Sequence, residues 1–198
     1  MNFPLRCRCG SVTGYLLGPH RAARALCYCR DCQAFARYLG KPEQTLNESG
    51  GTDIIATLPK YVHFTHGLEH LRCMSLSEKG LLRWYAGCCH TPVGNTPRNP
   101  KLPYVGLVHT CLAGSQAEVQ RAFGSAHVAI NTRSATGSVR PTPVAAFFAV
   151  LKIMRNVVWS RISGGYRENP FFRPGGAEPI VLPQVLSPAQ RSALSGDA

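Results

Sequence analysis

The sequence is short of acid. Ten aspartates and glutamates face 22 lysines and arginines, a formal net charge of +12. Lysine is scarce too, with five residues against 17 arginines. Arginine favours bidentate recognition of carboxylates and phosphates, so the balance admits an acidic substrate or a nucleic acid. However, no run of basic residues stands out, and arginines scattered along a chain also describe a solvated basic surface. Nucleic acid is therefore an allowed partner but not the favoured one. The N-terminus, MNFPLRCRCG, has no apolar core and no small-residue cleavage site of the secretory kind, which argues for a cytoplasmic location. The longest uninterrupted apolar run, Val144 to Leu151, is too short to span a bilayer, so no membrane span is expected. Internal repeats and low-complexity stretches are missing as well. With 198 residues and 44% hydrophobic content, the chain suits a globular domain with an appendage.

Against these shortages stand nine cysteines. In a reducing compartment they are better read as metal ligands or reactive thiols than as disulfides.

From Leu5 to about His109 the chain reads as short strands between turns. VTGYLL, YVHFTHG, HLRCMSL, LLRWYAG and YVGLVHT carry the β-branched and aromatic residues that fit pleated surfaces. Ser77 to Gly80 suits a hairpin turn. A short helix is expected over residues 30–39, a loop over 40–52, and another helix from Ser115 to Phe123, with Ser115 as N-cap and Glu118 three residues on. Arg140-Pro141-Thr142-Pro143 marks a boundary. Two regions follow: residues 1–140, a cysteine-bearing β domain, and residues 141–198, an amphipathic helix with a Pro-rich tail. The helix stripe Phe147, Leu151, Met154, Val158 and Ile162 predicts packing on the main domain or on a second subunit, so a homo-oligomer is compatible with it; a membrane-surface helix, a role that Phe, Trp and basic residues also fit, ranks well below packing. Gly164 and Gly165 end that helix, and a last short helix begins with Ser187 as cap and Pro188 in its first turn.

The cysteines fall into four groups, Cys7-x-Cys9-Gly10, Cys27-x-Cys29-x-x-Cys32, Cys73, and Cys88-Cys89-His90, with Cys111 assigned to the core. Tetrahedral zinc brings its sulfurs to about 3.8 Å, given bonds near 2.3 Å. Residues i and i+2 of a straight strand are about 6.6 Å apart. A C-x-C pair on one ion therefore needs a bend, which Gly10 permits. Cys32 falls in the first turn of a helix, where the dipole favours thiolate. Cys29-Arg30-Asp31-Cys32 also has the spacing of a dithiol redox motif, but no βαβ pattern surrounds it and Cys27 is a superfluous third thiol. Two zinc ions with seven thiolates would lower the effective charge to about +9. His63, His66 and His70 form no metal motif and are read as solvated or core-satisfied. Asp53 and Arg37 are candidates for lining the site.

CRCGSV, CYCRDCQAF and RWYAGCCHTPVGN together resemble the glutathione-dependent formaldehyde-activating enzyme family, which includes centromere protein V. The likeness runs from about Leu5 to His109. It implies a mainly β fold, a zinc-stabilised antiparallel β-tent with a helical extension added here. It also implies two zinc ions, one structural and one with an open position. By position Cys7, Cys9 and Cys89 match structural ligands, while Cys27, Cys29 and Cys32 match the second set, which is the catalytic one. The pattern departs at Ala86, where a cysteine is expected, and at His90, where glycine is expected. The fourth structural ligand is then Cys88 first, Cys73 second, His90 third. The activity implied is a carbon–sulfur lyase acting on an aldehyde adduct of a small thiol such as glutathione, with arginines holding the thiol's carboxylates. The alternative, suggested by the centromere protein branch, is a non-catalytic zinc module for nucleic acid or protein partners.

Overall fold

A computed structural model describes residues 2–195. The fold is mixed α/β, with two sheets and four α-helices. This corrects the expectation of a mainly β chain: the helices occupy nearly as much of the chain as the eleven strands do.

The smaller sheet contains β1 (Asn2–Arg6), β2 (Thr13–Leu17) and β5 (Val62–His66), in the order β1-β2-β5. The larger contains β3 (Ala23–Cys27), β4 (Thr52–Thr57), β6 (Leu71–Ser75), β7 (Leu82–Ala86), β8 (Thr91–Thr96), β9 (Val105–Val108), β10 (Ala129–Ile130) and β11 (Gln184–Val185). Its order is β10-β3-β4-β9-β8-β7-β6-β11. The six inner strands run antiparallel, while the two-residue edges β10 and β11 pair in parallel. The β6–β7 hairpin turns at Ser77 to Gly80 as expected, closed by the Gly80 N–H on the Ser77 carbonyl at 3.1 Å.

The main core gathers Phe3, Leu5, Leu16, Val62, Leu71, Trp84 and Leu107 from both sheets. Trp84 is fully buried, and its indole N–H donates to the Thr96 hydroxyl at 3.0 Å. That bond satisfies the one polar atom the ring carries inside. Phe171, far along the chain, is also fully buried, its ring centroid 5.1 Å from Trp84 and 5.7 Å from Phe64.

Helix α1 (Arg30–Tyr38) buries Ala34 and Phe35 in a second cluster with Met74 of β6 and Leu186 from the tail. Helix α2 (Gln116–Phe123) starts with the expected reciprocal cap between Ser115 and Glu118. Helix α4 (Pro188–Ser195) follows Ser187, whose hydroxyl accepts from the Gln190 N–H at 3.3 Å. It crosses to α1, where the Arg37 guanidinium donates to the Leu194 carbonyl at 2.7 Å.

Helix α3 (Pro143–Ile162) has the expected extent, and Gly164, at φ +77°, follows its end. The face it buries is not the expected one. Phe147, Leu151, Met154, Val158 and Ile162 are all exposed, and Ile153, Val157 and Ser160 are buried instead, the first two against Leu58 and Tyr61. The helix is apolar over most of its circumference, so periodicity does not choose a side. Docking is chosen by polar anchors. Lys152 donates to the carbonyls of His20 (3.0 Å) and Ala22 (2.6 Å), and Asn156 donates to that of Arg21 (3.4 Å).

Candidate metal centres

The first group is built where two turns meet. β1 ends at Arg6, and the chain folds back through Gly10 at φ +83°, so that the Gly10 N–H reaches the Cys7 carbonyl at 3.0 Å. This is the bend the C-x-C spacing demands. Opposite lies the turn between β7 and β8, which carries Cys88 and Cys89. The N–H groups of Cys89 and His90 both donate to the Ala86 carbonyl, at 3.3 and 2.8 Å. The sulfurs of Cys7, Cys9, Cys88 and Cys89 all lie within 4.8 Å of one another. Individual separations are 3.5 Å (Cys7–Cys9), 3.9 Å (Cys7–Cys88), 3.2 Å (Cys9–Cys88) and 3.9 Å (Cys88–Cys89). These match the roughly 3.8 Å of tetrahedral tetrathiolate coordination, so the donor set fits a metal ion.

Arg8 ties the two turns together, its guanidinium donating to the Cys89 carbonyl at 2.8 Å and its backbone N–H to the Thr91 hydroxyl at 3.0 Å. Ala86, where the resemblance drawn from the sequence predicts a cysteine, is buried beneath the group with Val12. Cys88 supplies the missing sulfur from two residues further on. The turn makes this feasible through His90, whose φ is +55°, the left-handed conformation that a glycine would adopt without strain.

The other candidates for that position lie elsewhere. Cys73 pairs with Trp84 across the hairpin, as its place in the sequence predicts, but its side chain is buried in the main core. Burial pushes its thiol up to about 12. His90 is exposed, its ring 6.2 Å from that of Tyr85.

The second group forms where β3 runs into α1. Cys27 is the last residue of β3 and Cys29 is the N-cap of α1. The Cys29 sulfur accepts the Cys32 N–H at 3.4 Å, as a serine oxygen would at an ordinary cap. Cys27, Cys29 and Cys32 place their sulfurs within 4.8 Å of one another, with Cys27 and Cys29 at 3.4 Å. Ile54, Val108 and Ile130 pack around them. The Asn131 amide donates to the Cys27 sulfur at 3.4 Å.

Proton sharing within the trio differs from the simplest helix-dipole expectation. Hydrogen bonds from Cys29 and Cys32, with a smaller one from Asn131, overcome burial and pull Cys27 down to about 2, whereas the contact with Cys27 is the first cause that pushes Cys29 and Cys32 up. The shift favours ionisation at Cys27 over Cys32, because charge placed on one sulfur raises the cost of ionising its neighbours. The first group divides similarly. Hydrogen bonds from Ser11 lower Cys9 to about 6, while Cys7 and Cys88 are raised by burial first and then by adjoining sulfurs. Clusters of this kind take up a cation by releasing protons, since the ion removes the repulsion that keeps some thiols neutral.

All nine cysteines are free of disulfides. Cys111 is a core residue, its thiol pushed up to about 12 by burial. His63 stacks on Tyr15 at 5.0 Å, His66 is exposed, and His70 lies 3.5 Å from the Glu69 carboxylate. None joins a metal-ligating group among the described residues. Asp53 does not line the trio. It faces the opposite side of the sheet, since Leu26 is its partner and Thr52 that of Cys27, and the Arg24 guanidinium grips it at 2.7 Å. A cavity of about 490 Å³ opens on that other face, lined by Arg24, Asp53 and His109. Arg37 is committed to the Leu194 carbonyl and Gln33.

Three residues near the trio have no signal in the sequence. Asn131 arrives because β10 pairs with β3 in parallel, Ile130 opposite Cys27. Thr52 pairs with Cys27, and its buried hydroxyl has no hydrogen-bond partner among the described residues. Burial, and then the charge of the trio, push the Tyr104 hydroxyl up.

Comparison with known proteins adds a family but no activity. No curated protein matches the chain. A crystal structure of a Rhodobacter sphaeroides protein matches with a TM-score of 0.38 and 21% identity, over 58% of this chain and 92% of that one. A family described as one of unknown function, DUF6151, matches residues 1–181, and the chain belongs to it.

Proposed function

We propose that this protein is a zinc-dependent carbon–sulfur lyase-like enzyme acting on an aldehyde adduct of a small thiol of the glutathione type. One observation carries the reading, the inequality of the two cysteine groups. Four sulfurs close the first, whereas three make up the second, with no fourth Cys, His, Asp or Glu atom grouped with them among the described residues. Structural zinc sites are closed by four protein ligands and catalytic ones keep a place for water or substrate. A zinc held by Cys27, Cys29 and Cys32 supplies a soft Lewis acid suited to an exogenous thiol sulfur and lowers that thiol's pKa.

The chain's own residues prepare the site. The helix cap fixes the Cys29 rotamer, Asn131 steadies Cys27, and Ile54 and Val108 exclude water from one side. Tyr104 remains a neutral hydroxyl. The likeness of CRCGSV, CYCRDCQAF and RWYAGCCHTPVGN to the formaldehyde-activating enzyme and centromere protein V family supports the same assignment, the β-tent description, and zinc as the ion in both groups. Seven thiols with this role require a reducing compartment, which fits the cytoplasm.

The test combines metal counting with turnover of S-hydroxymethylglutathione. Wild type is expected to hold two zinc ions. Cys88→Ser is expected to lose the first, while Cys73→Ser keeps both. Cys29→Ser is expected to keep α1, because serine is a strong N-cap, but to lose the second zinc and fall to background turnover. A Cys29→Ser protein that has lost that ion and still turns over the adduct rejects the assignment. Two bound zincs with no thiol-adduct turnover point instead to the non-catalytic module.

A further inference from the structure

Helix α3 leaves its bulkiest side outward. Nine of the fourteen exposed large hydrophobic side chains among the described residues lie on this one helix. Phe147, Phe148, Leu151, Val158, Trp159 and Ile162 are each more than half exposed. At 100° per residue, Phe147, Leu151, Met154, Val158 and Ile162 form a single stripe, with Arg155 on one flank and Arg161 on the other, and both arginines are exposed. The stripe runs the length of the helix, about 30 Å for 20 residues.

Along the chain, the charge between Glu118 and Glu168, the stretch that contains this helix, has one sign. From Val119 to Arg167 there is no aspartate or glutamate, while Arg121, Arg133, Arg140, Lys152, Arg155, Arg161 and Arg167 are all basic. Of these seven, only Lys152 is turned into the body of the protein, on the carbonyls of residues 20 and 22.

We infer that α3 is a membrane-surface helix that lays its apolar stripe into an anionic lipid bilayer while its arginines meet the headgroups. Charge complementarity decides between occupants. A second copy of the chain would bring together two molecules of net charge +12, with no carboxylate on the helix itself to pair with Arg155 or Arg161. A nucleic acid would satisfy the arginines but leave a phenylalanine- and leucine-rich centre against phosphates. An anionic bilayer answers both halves of the surface.

The helix is long and apolar enough, by length and composition, to cross a bilayer, but the docked side argues that it lies on the surface instead. Crossing would break the bonds from Lys152 and Asn156 and carry Lys152, Arg155 and Asn156 into hydrocarbon. Lying flat keeps them all.

The experiment uses the full chain with two kinds of vesicle, pure phosphatidylcholine and phosphatidylcholine with about 30 mol % phosphatidylserine. Co-sedimentation is expected to favour the anionic vesicles by about tenfold, since each arginine near such a surface contributes enough for several-fold, and to weaken as salt rises. Trp159 is 68% exposed and Trp84, the other tryptophan, is fully buried, so a blue shift of emission on the vesicles reports Trp159 entering the interface. Phe147→Glu with Val158→Glu is expected to abolish both signals while leaving circular dichroism and metal content unchanged. Wild type that stays in solution with both vesicles, with no emission shift, overturns the inference. A stable dimer in free solution that the same double variant splits overturns it too, in favour of a second copy.

Discussion

At the scale of single residues, the first metal group turns on His90. Cysteines at 88 and 89 both reach Cys7 and Cys9 from a turn whose next residue takes φ +55°. For an L-residue with a side chain that conformation costs about 1 kcal/mol or more. His90→Gly is therefore expected to raise stability by about 1 kcal/mol, read as a higher urea midpoint with metal content unchanged. A drop would show that the His90 ring against Tyr85 matters more than the backbone strain. His109 makes a second residue-scale prediction. Burial depresses its pKa below the ordinary 6.5, and its Nδ1 is buried without a partner among the described residues. Because the folded value lies below the unfolded one, the unfolded chain binds the proton more readily. Stability is complete above about pH 6.5 and declines as pH falls below it. Urea midpoints should therefore drop between pH 7.5 and 5.5 in wild type and drop less in His109→Gln, with metal content followed in the same samples to separate loss of ions.

At the scale of elements, legibility depended on whether a segment's own residues determine its partner. The five aromatic and β-branched strands, the Ser77–Gly80 turn and the caps at Ser115 and Ser187 are local devices, and all appear where the sequence places them. NFPLR, ARALC and TPVGNT carry proline, alanine or glycine and become strands only because neighbours pair with them. Pro92 is accommodated in β8 where the register with β7 slips between Trp84 and Tyr85. The cysteine spacing was legible because ligands close in sequence need only a bend or a cap to converge. Asn131 was not, since it arrives through strand pairing across about a hundred residues. The buried side of α3 does not follow its hydrophobic periodicity for a related reason: hydrogen bonds from Lys152 and Asn156 to carbonyls 20–22 anchor it, and those partners are distant in sequence.

At the scale of the whole molecule, the segment after Arg140 contributes to the same core as the cysteine-bearing sheets. β11 extends the large sheet beyond β6, α4 rests on α1, and Phe171 fills the space between Trp84 and Phe64. A fully buried phenylalanine replaced by alanine leaves a cavity that surrounding side chains refill only in part, at a cost of about 3–5 kcal/mol. Phe171→Ala is expected to lower stability by that amount in urea unfolding, a large share of the roughly 5–15 kcal/mol that holds a domain folded. Cutting the chain after Arg140 removes Phe171, Phe172 and Leu186 together and exposes Trp84 and Met74 to water. The shortened chain should then lose its cooperative transition even with both metal ions supplied. If residues 1–140 instead unfold cooperatively at the wild-type midpoint with two ions bound, the metal groups alone organise the sheets and Phe171 merely covers them.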